Sequence, residues 1–164
     1  MLRSELYRRY AALERDFSGV DLSSADLLIA EVEEYDPTQN VLSGINLSGA
    51  NLTQSILSLV NLTGANLSGA NLTQADLGGC DLSNANLRGA NLEMADFTAV
   101  NLINADLRET RMLLTRFDRA DLTRANLSSA LFQGVSGDDG TLFCNTIMPD
   151  GAIINDISIW VDSR

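Results

Sequence analysis

The chain has 164 residues, 45% of them apolar but only 5% aromatic, and carries a net charge of −11. It contains no histidine, and all 11 basic residues are arginine. That composition excludes a His-based triad, histidine metal ligation, a Schiff-base lysine and a phosphate-loop lysine, and the acidic balance opposes direct nucleic-acid binding.

Leu2, Leu6, Tyr10 and Leu13 follow one another at helical spacings, and no Pro or Gly interrupts residues 4–14, so a helix is predicted over about 2–15. Phe17, Leu22 and Leu27 then open a five-residue period across residues 16–30. Residues 31–40, EVEEYDPTQN, break it: Tyr35 falls in a slot for a small inward residue, and Pro37 where a leucine belongs. The period resumes in phase at Leu42. Because a narrow core does not admit Tyr and Pro, residues 31–41 are expected to leave as an outward loop. That loop would carry Glu31, Glu33, Glu34, Tyr35 and Asp36; it is read either as functional or as a tolerated insertion.

From Leu42 through Phe132 every fifth residue is large and apolar, with 15 leucines, Phe97, Phe117, Phe132 and Met112 in 19 places. On a helix this period spirals around the axis, and on a strand it alternates faces. A chain that turns a corner once per unit sends every one of them inward. Two places earlier the residue is alanine in 11 of 19 units, and the place just before is Asn or Asp in 14. The consensus is A-(N/D)-L-(S/T)-X, with the leucine and the alanine inward and the rest outward. Cys80 occupies an alanine slot and reads as a small core residue. Short fixed periods stack into solenoids in which each turn touches its neighbours.

Runs such as GANLSGANLTQADL (residues 64–77) and NANLRGANLEMADF (residues 84–97) resemble the pentapeptide-repeat proteins. The resemblance implies an all-β solenoid, a right-handed quadrilateral β-helix with four units per square coil, running continuously over residues 42–134. It also implies a short α-helical cap before the repeats, since the segment RYAALERDF resembles the lead-in of other members. Residues 135–164 are assigned to a C-terminal cap and tail. Within them residues 142–156 read as strand, turn, strand around Pro149, Asp150 and Gly151, similar to the closing segment of other members. The whole chain is read as a single domain.

In a square coil, residues 20 apart stack. Asn51, Asn71 and Asn91 share a column and are expected to form an amide ladder. Arg116 is expected over Asp96 as an exposed ion pair. An apolar group is less usual: Met94, Leu113, Leu114 and Leu131 take outward slots around one face, with Ile103 on the next. Clustered, they read as a contact surface, either for a partner or for the chain's own tail with Trp160. That tail alternates enough to pack there or pair with a second copy, so a monomer and a homodimer through the tail both stay open.

No Gly-rich nucleotide loop or cysteine-pair metal motif is present, and carboxylates on an open wall lack a cleft to shift their pKa, so no cofactor is expected and an enzyme is the remote reading. The start of the chain lacks a secretory apolar run and no membrane span is expected, which points to the cytoplasm. The leading reading is a non-enzymatic protein-binding or regulatory module with an unknown protein partner. The alternative comes from the resemblance, since quinolone-resistance members mimic DNA and bind DNA gyrase. Against it, residues 42–132 carry 8 acids and 6 arginines, a net −2, while the flanks 1–41 and 133–164 hold −5 and −4.

Overall fold

The five-residue unit closes on itself before it pairs with anything else. Its central leucine accepts, through its carbonyl, the N–H three residues on, as Ala50 N donates to Leu47 O and Ala70 N to Leu67 O, both at 3.0 Å. The residue two places after the leucine sits in the left-handed region, at φ 65° in Gly64 and 57° in Gln54. A turn with positive φ at its third residue has the requirement of type II. The Asn or Asp before the leucine anchors that turn: its Oδ1 accepts the N–H two residues on, at 3.2 Å from Ser68 to Asn66 and 2.9 Å from Thr98 to Asp96. This Asx contact gives the motif's second position its chemistry.

The structure, a computed structural model, describes residues 1–27, 41–137 and 140–155. Successive coils meet in parallel at an offset of 20 residues, from Val41 with Asn61 to Arg116 with Ser136. Leu42 N donates to Asn61 O at 2.8 Å and Gly44 N to Thr63 O at 2.9 Å, while Asn66 N reaches back to Ile45 O at 2.9 Å. Each coil therefore has four walls. The first is centred on Leu62, Leu82 and Leu102, the second on Leu67, Leu87 and Leu107, the third on Leu72, Leu92, Met112 and Phe132, and the fourth on Leu77, Phe97 and Phe117. Most sides carry a single bridge, because the turn leaves no room for a longer strand. Two sides extend to three residues, β1 (Arg111–Leu113) and β2 (Leu131–Gln133), paired in parallel.

Inside, the leucines and alanines are fully buried, Leu62, Leu82, Leu102, Ala65 and Ala85 among them. The rings of Phe97 and Phe117 stack 5.2 Å apart. Polar exceptions are satisfied by carbonyls: Thr110 Oγ1 donates to Leu107 O at 2.7 Å and Thr115 Oγ1 to Leu92 O at 2.8 Å. Cys80 is buried as expected, its thiol 2.7 Å from Leu57 O, and desolvation pushes its pKa up to about 12.

At the start, helix α1 spans Arg3–Ala11, shorter than the expected 2–15. Leu2 is its N-cap, 75% exposed, and Leu13 leaves it at φ 67° and 79% exposed, because the chain must turn there to enter the first coil at Asp16. Leu6 is the buried anchor, and two tyrosines complete the seat: Tyr7 Oη donates to Leu27 O and Tyr10 Oη to Ser43 O, both at 2.8 Å. Burial raises the Tyr7 pKa well above its ordinary value.

Two register shifts mark where the repeat departs from regularity. Asp16, Asp21 and Asp26 pair with Asn46, Asn51 and Ile56, an offset of 30, ten residues more than the regular coil. Two whole units leave the phase unchanged, which is why Leu42 resumes it. The expected loop residues Glu31, Glu33, Glu34, Tyr35 and Asp36 lie outside the described residues. The second shift lies beyond residue 134, past the expected end of the continuous coils: pairing resumes with Asp121 to Leu142 and Asn126 to Ile147, at an offset of 21. One extra residue rotates the unit, so Leu142 faces outward while Phe143 and Thr141 fill the bore at 1% exposure. Strand β3 (Thr146–Ile147) then pairs antiparallel with β4 (Ile153–Ile154) around Pro149, Asp150 and Gly151.

Candidate interaction surface

The third wall is a grid fixed by the fold. Its outward positions before and after the central residue are Asn91 and Glu93 on one coil, Arg111 and Leu113 on the next, and Leu131 and Gln133 above. The corner beyond it stacks Gln54, Gln74, Met94, Leu114 and Gly134, all at φ between 55° and 60°. Along that corner Gln54 Nε2 donates to Gln74 Oε1 at 2.9 Å, and Gln74 Nε2 approaches Met94 Sδ at 3.6 Å. The amide run ends at Met94, and apolar side chains take over.

Met94 is 47% exposed, and Leu114 and Leu131 are each 59%. Leu114 leans over Gly134, where a Cβ would lie 2.7 Å from its Cδ2, so this glycine admits the leucine. Leu113 is half-buried on the same wall, and so is Ile103 on the first wall. The four residues Met94, Leu113, Leu114 and Leu131 are thus brought together, whereas Ile103 stands apart and Trp160 lies outside the described residues. A shallow concavity of about 510 Å³ lies between Arg111, Leu113, Leu131, Phe132 and Gln133.

Sequence reasoning missed the charged members of this wall. Arg111 Nε contacts Glu93 Oε2 at 3.3 Å, a diagonal pair 18 residues apart that follows from the grid once walls are assigned. Neighbouring pairs border it: Arg88 with Glu109 and Arg108 with Asp106, each at 2.6 Å. Hydrogen bonds from Arg108 hold the Asp106 carboxyl below the ordinary carboxylate range. The expected ion pair of Arg116 with Asp96 forms at 3.0 Å. The amide ladder, however, runs on the second wall rather than the third: Asn66 Nδ2 donates to Asn46 Oδ1 at 3.1 Å and Asn86 Nδ2 to Asn66 Oδ1 at 3.2 Å. On the third wall Asn91 Nδ2 turns to Thr73 Oγ1 at 3.0 Å, because a threonine hydroxyl is available there.

A second apolar pair, Ile56 at 41% and Leu59 at 49% exposure, lies on the fourth wall and the corner that follows it. Among the described residues no group of His, Cys, Asp or Glu is placed to hold a metal ion, and no helix is long and apolar enough to cross a membrane.

Comparison with known proteins agrees with this geometry. The chain is similar to QnrB1, a plasmid-mediated fluoroquinolone resistance protein, at a TM-score of 0.65 and 18% identity over 79% of this chain and 63% of that one. The chain therefore spans less than two thirds of that trypsin-treated R167E chain of QnrB1. It is similar to alr5209, a pentapeptide repeat protein from Nostoc Pcc 7120, at a TM-score of 0.57 and 28% identity over 84% of this chain and 96% of that one. It is also similar to Rfr23, a pentapeptide repeat protein from the cyanobacterium Cyanothece 51142, at 31% identity over 84% of this chain and 97% of that one, with a TM-score of 0.46. No curated protein matches. These neighbours imply a right-handed quadrilateral β-helix, and the 20-residue parallel register is its square coil. The family model for pentapeptide repeats matches residues 41–79, 65–102 and 95–134, so this chain belongs to the pentapeptide repeat family.

Proposed function

We propose that the protein is a non-catalytic protein-binding or regulatory module whose contact surface is the upper part of the third wall. The observation that carries this reading is the juxtaposition of Met94, Leu114 and Leu131, each about half exposed, on a rod whose other outward positions are mostly Asn, Ser, Thr and Gly. An apolar centre bordered by ion pairs has the anatomy of a protein interface. Against catalysis stand the absence of His and Lys from the sequence and the open form of the walls. In this reading α1 acts as the cover of the first coil. Tyr10 Oη supplies to Ser43 O the donor that another coil below would have provided.

The similarity to QnrB1 favours a second reading, binding to DNA gyrase as a DNA mimic. The near-neutral rod argues against it, because a mimic needs acids where DNA has phosphates. A pull-down with the wild type and with Leu113→Ser/Leu114→Ser tests the first reading. Loss of a specific partner with the fold retained supports it, and undiminished capture of every partner sinks it. A supercoiling assay tests the second, which ends if gyrase is not inhibited at micromolar protein.

A further inference from the structure

We infer that the third wall is a two-fold interface between copies of this chain, a reading that rests on the wall being a protein contact surface. The argument is its self-complementarity. An isologous interface requires each group to meet its complement when the patch is turned onto itself. On this wall the opposite charges Arg111 and Glu93 lie on adjacent coils at opposite ends of the side. Coils stack at ~4.8 Å, and outward positions two residues apart are ~6.6 Å apart. A two-fold axis lying in the wall through the midpoint of Arg111 and Glu93 exchanges those two residues between copies. On the same grid it brings Leu131 over the other copy's Met94 and sets Leu113 within about 3 Å, measured in the plane, of its own mate. Leu114 then falls between the positions of Leu131 and Gln133.

One operation therefore pairs the charges and buries the apolar group. Of the chain's net charge of −11, residues 42–132 contribute only −2, so little of the repulsion between copies arises at the wall itself. The wall is small: five coils by a width of ~10 Å give roughly 250 Å², short of the ~800 Å² per partner of a standard interface. The dimer is accordingly weak and transient.

Sedimentation of the full chain from about 10 µM to about 1 mM covers the concentrations at which a weak dimer forms. The mass should rise from 17.7 kDa toward twice that value. Glu93→Arg and Arg111→Glu should each weaken association about tenfold or more, and the double exchange should restore it. In a Cys144→Ser background, Leu113→Cys should form a disulfide-linked dimer under mild oxidation, while Thr123→Cys on the first wall should not. Circular dichroism of every variant separates loss of association from loss of fold. A folded chain that stays monomeric at the highest concentration, with Leu113→Cys uncross-linked, overturns the inference, whether a foreign protein or the chain's own C-terminal residues occupy the wall. If such a monomer still loses a specific partner on Leu113→Ser/Leu114→Ser, the binding-module reading stands and only the two-fold interface falls.

Discussion

Replacing Asn66 separates the two jobs that the fold gives to the residue before the central leucine. Its Oδ1 accepts from Ser68 N and from Asn86 Nδ2, both at 3.2 Å, and its Nδ2 donates to Asn46 Oδ1 at 3.1 Å. Asn66→Ala removes all three bonds. The side chain is half-buried, so each is valued near the lower end of the usual net range, and the sum is about 1.5–2 kcal/mol. Asn66→Asp keeps the oxygen that anchors the turn but sets a carboxylate against Asn46 Oδ1, at a cost of about 1 kcal/mol. Asn61 is the control. It holds the same slot on the first wall, accepts from Thr63 N at 3.0 Å, and stands between Val41 and Asp81, so no amide run passes through it. Asn61→Ala should cost about 0.5 kcal/mol. Urea unfolding followed by circular dichroism, with a common slope, gives the three differences. If Asn66→Ala and Asn61→Ala cost the same, or Asn66→Asp costs more than Asn66→Ala, the division between turn anchor and ladder is refuted.

Gly64→Ala meets nothing within 4 Å at φ 65°, so it should cost only the left-handed backbone, about 1 kcal/mol. Gly79→Ala, at φ 68° with Leu59 Cδ2 2.7 Å from the new Cβ, should cost more, and a double-mutant cycle with Leu59→Ala should remove the excess. Burial holds the Cys80 thiol protonated, so at pH 8 a thiol reagent should label only the half-buried Cys144 in the native chain and both cysteines in denaturant; rapid native labelling of Cys80 would contradict its place in the bore. The Asp106 carboxyl, depressed by Arg108, contributes stability that is present above its unfolded pKa and is lost as pH falls through its lower folded pKa. Asp106→Asn should therefore destabilise at pH 7 and much less near pH 2, and equal unfolding midpoints for variant and wild type at both pH values would rule this out.

The square coil was legible because its signal is redundant: Leu62, Leu82 and Leu102 repeat one steric requirement, and so do Ala65 and Ala85. The Asn and Asp column was visible as a statistic, but its cause was not, since an Asx contact to the N–H two residues on is a matter of geometry. The length of α1 was overread because Leu2 and Leu13 complete a helical stripe in the sequence, yet the chain bends at Leu13 to reach the first wall. The register beyond residue 134 was hidden for a different reason. Leu142 and Ile147 keep the five-residue count and conceal a one-residue slip that only the pairing of Asp121 and Asn126 reveals. The apolar members of the third wall followed from slot counting. Arg111 and Glu93 did not, because charges at outward positions are ordinary until the diagonal between coils is drawn.

Because the coil-to-coil backbone hydrogen bonds in the middle of the rod link residues 19 or 21 places apart, no such bond among the described residues there spans more than one storey. Duplicating a 20-residue segment between Ala65 and Asn66 should lengthen the rod by about 4.8 Å while leaving both of its ends chemically unaltered. The molecule can thus be graduated like a measuring stick, with the separation between whatever is mounted at either end set by the number of segments copied.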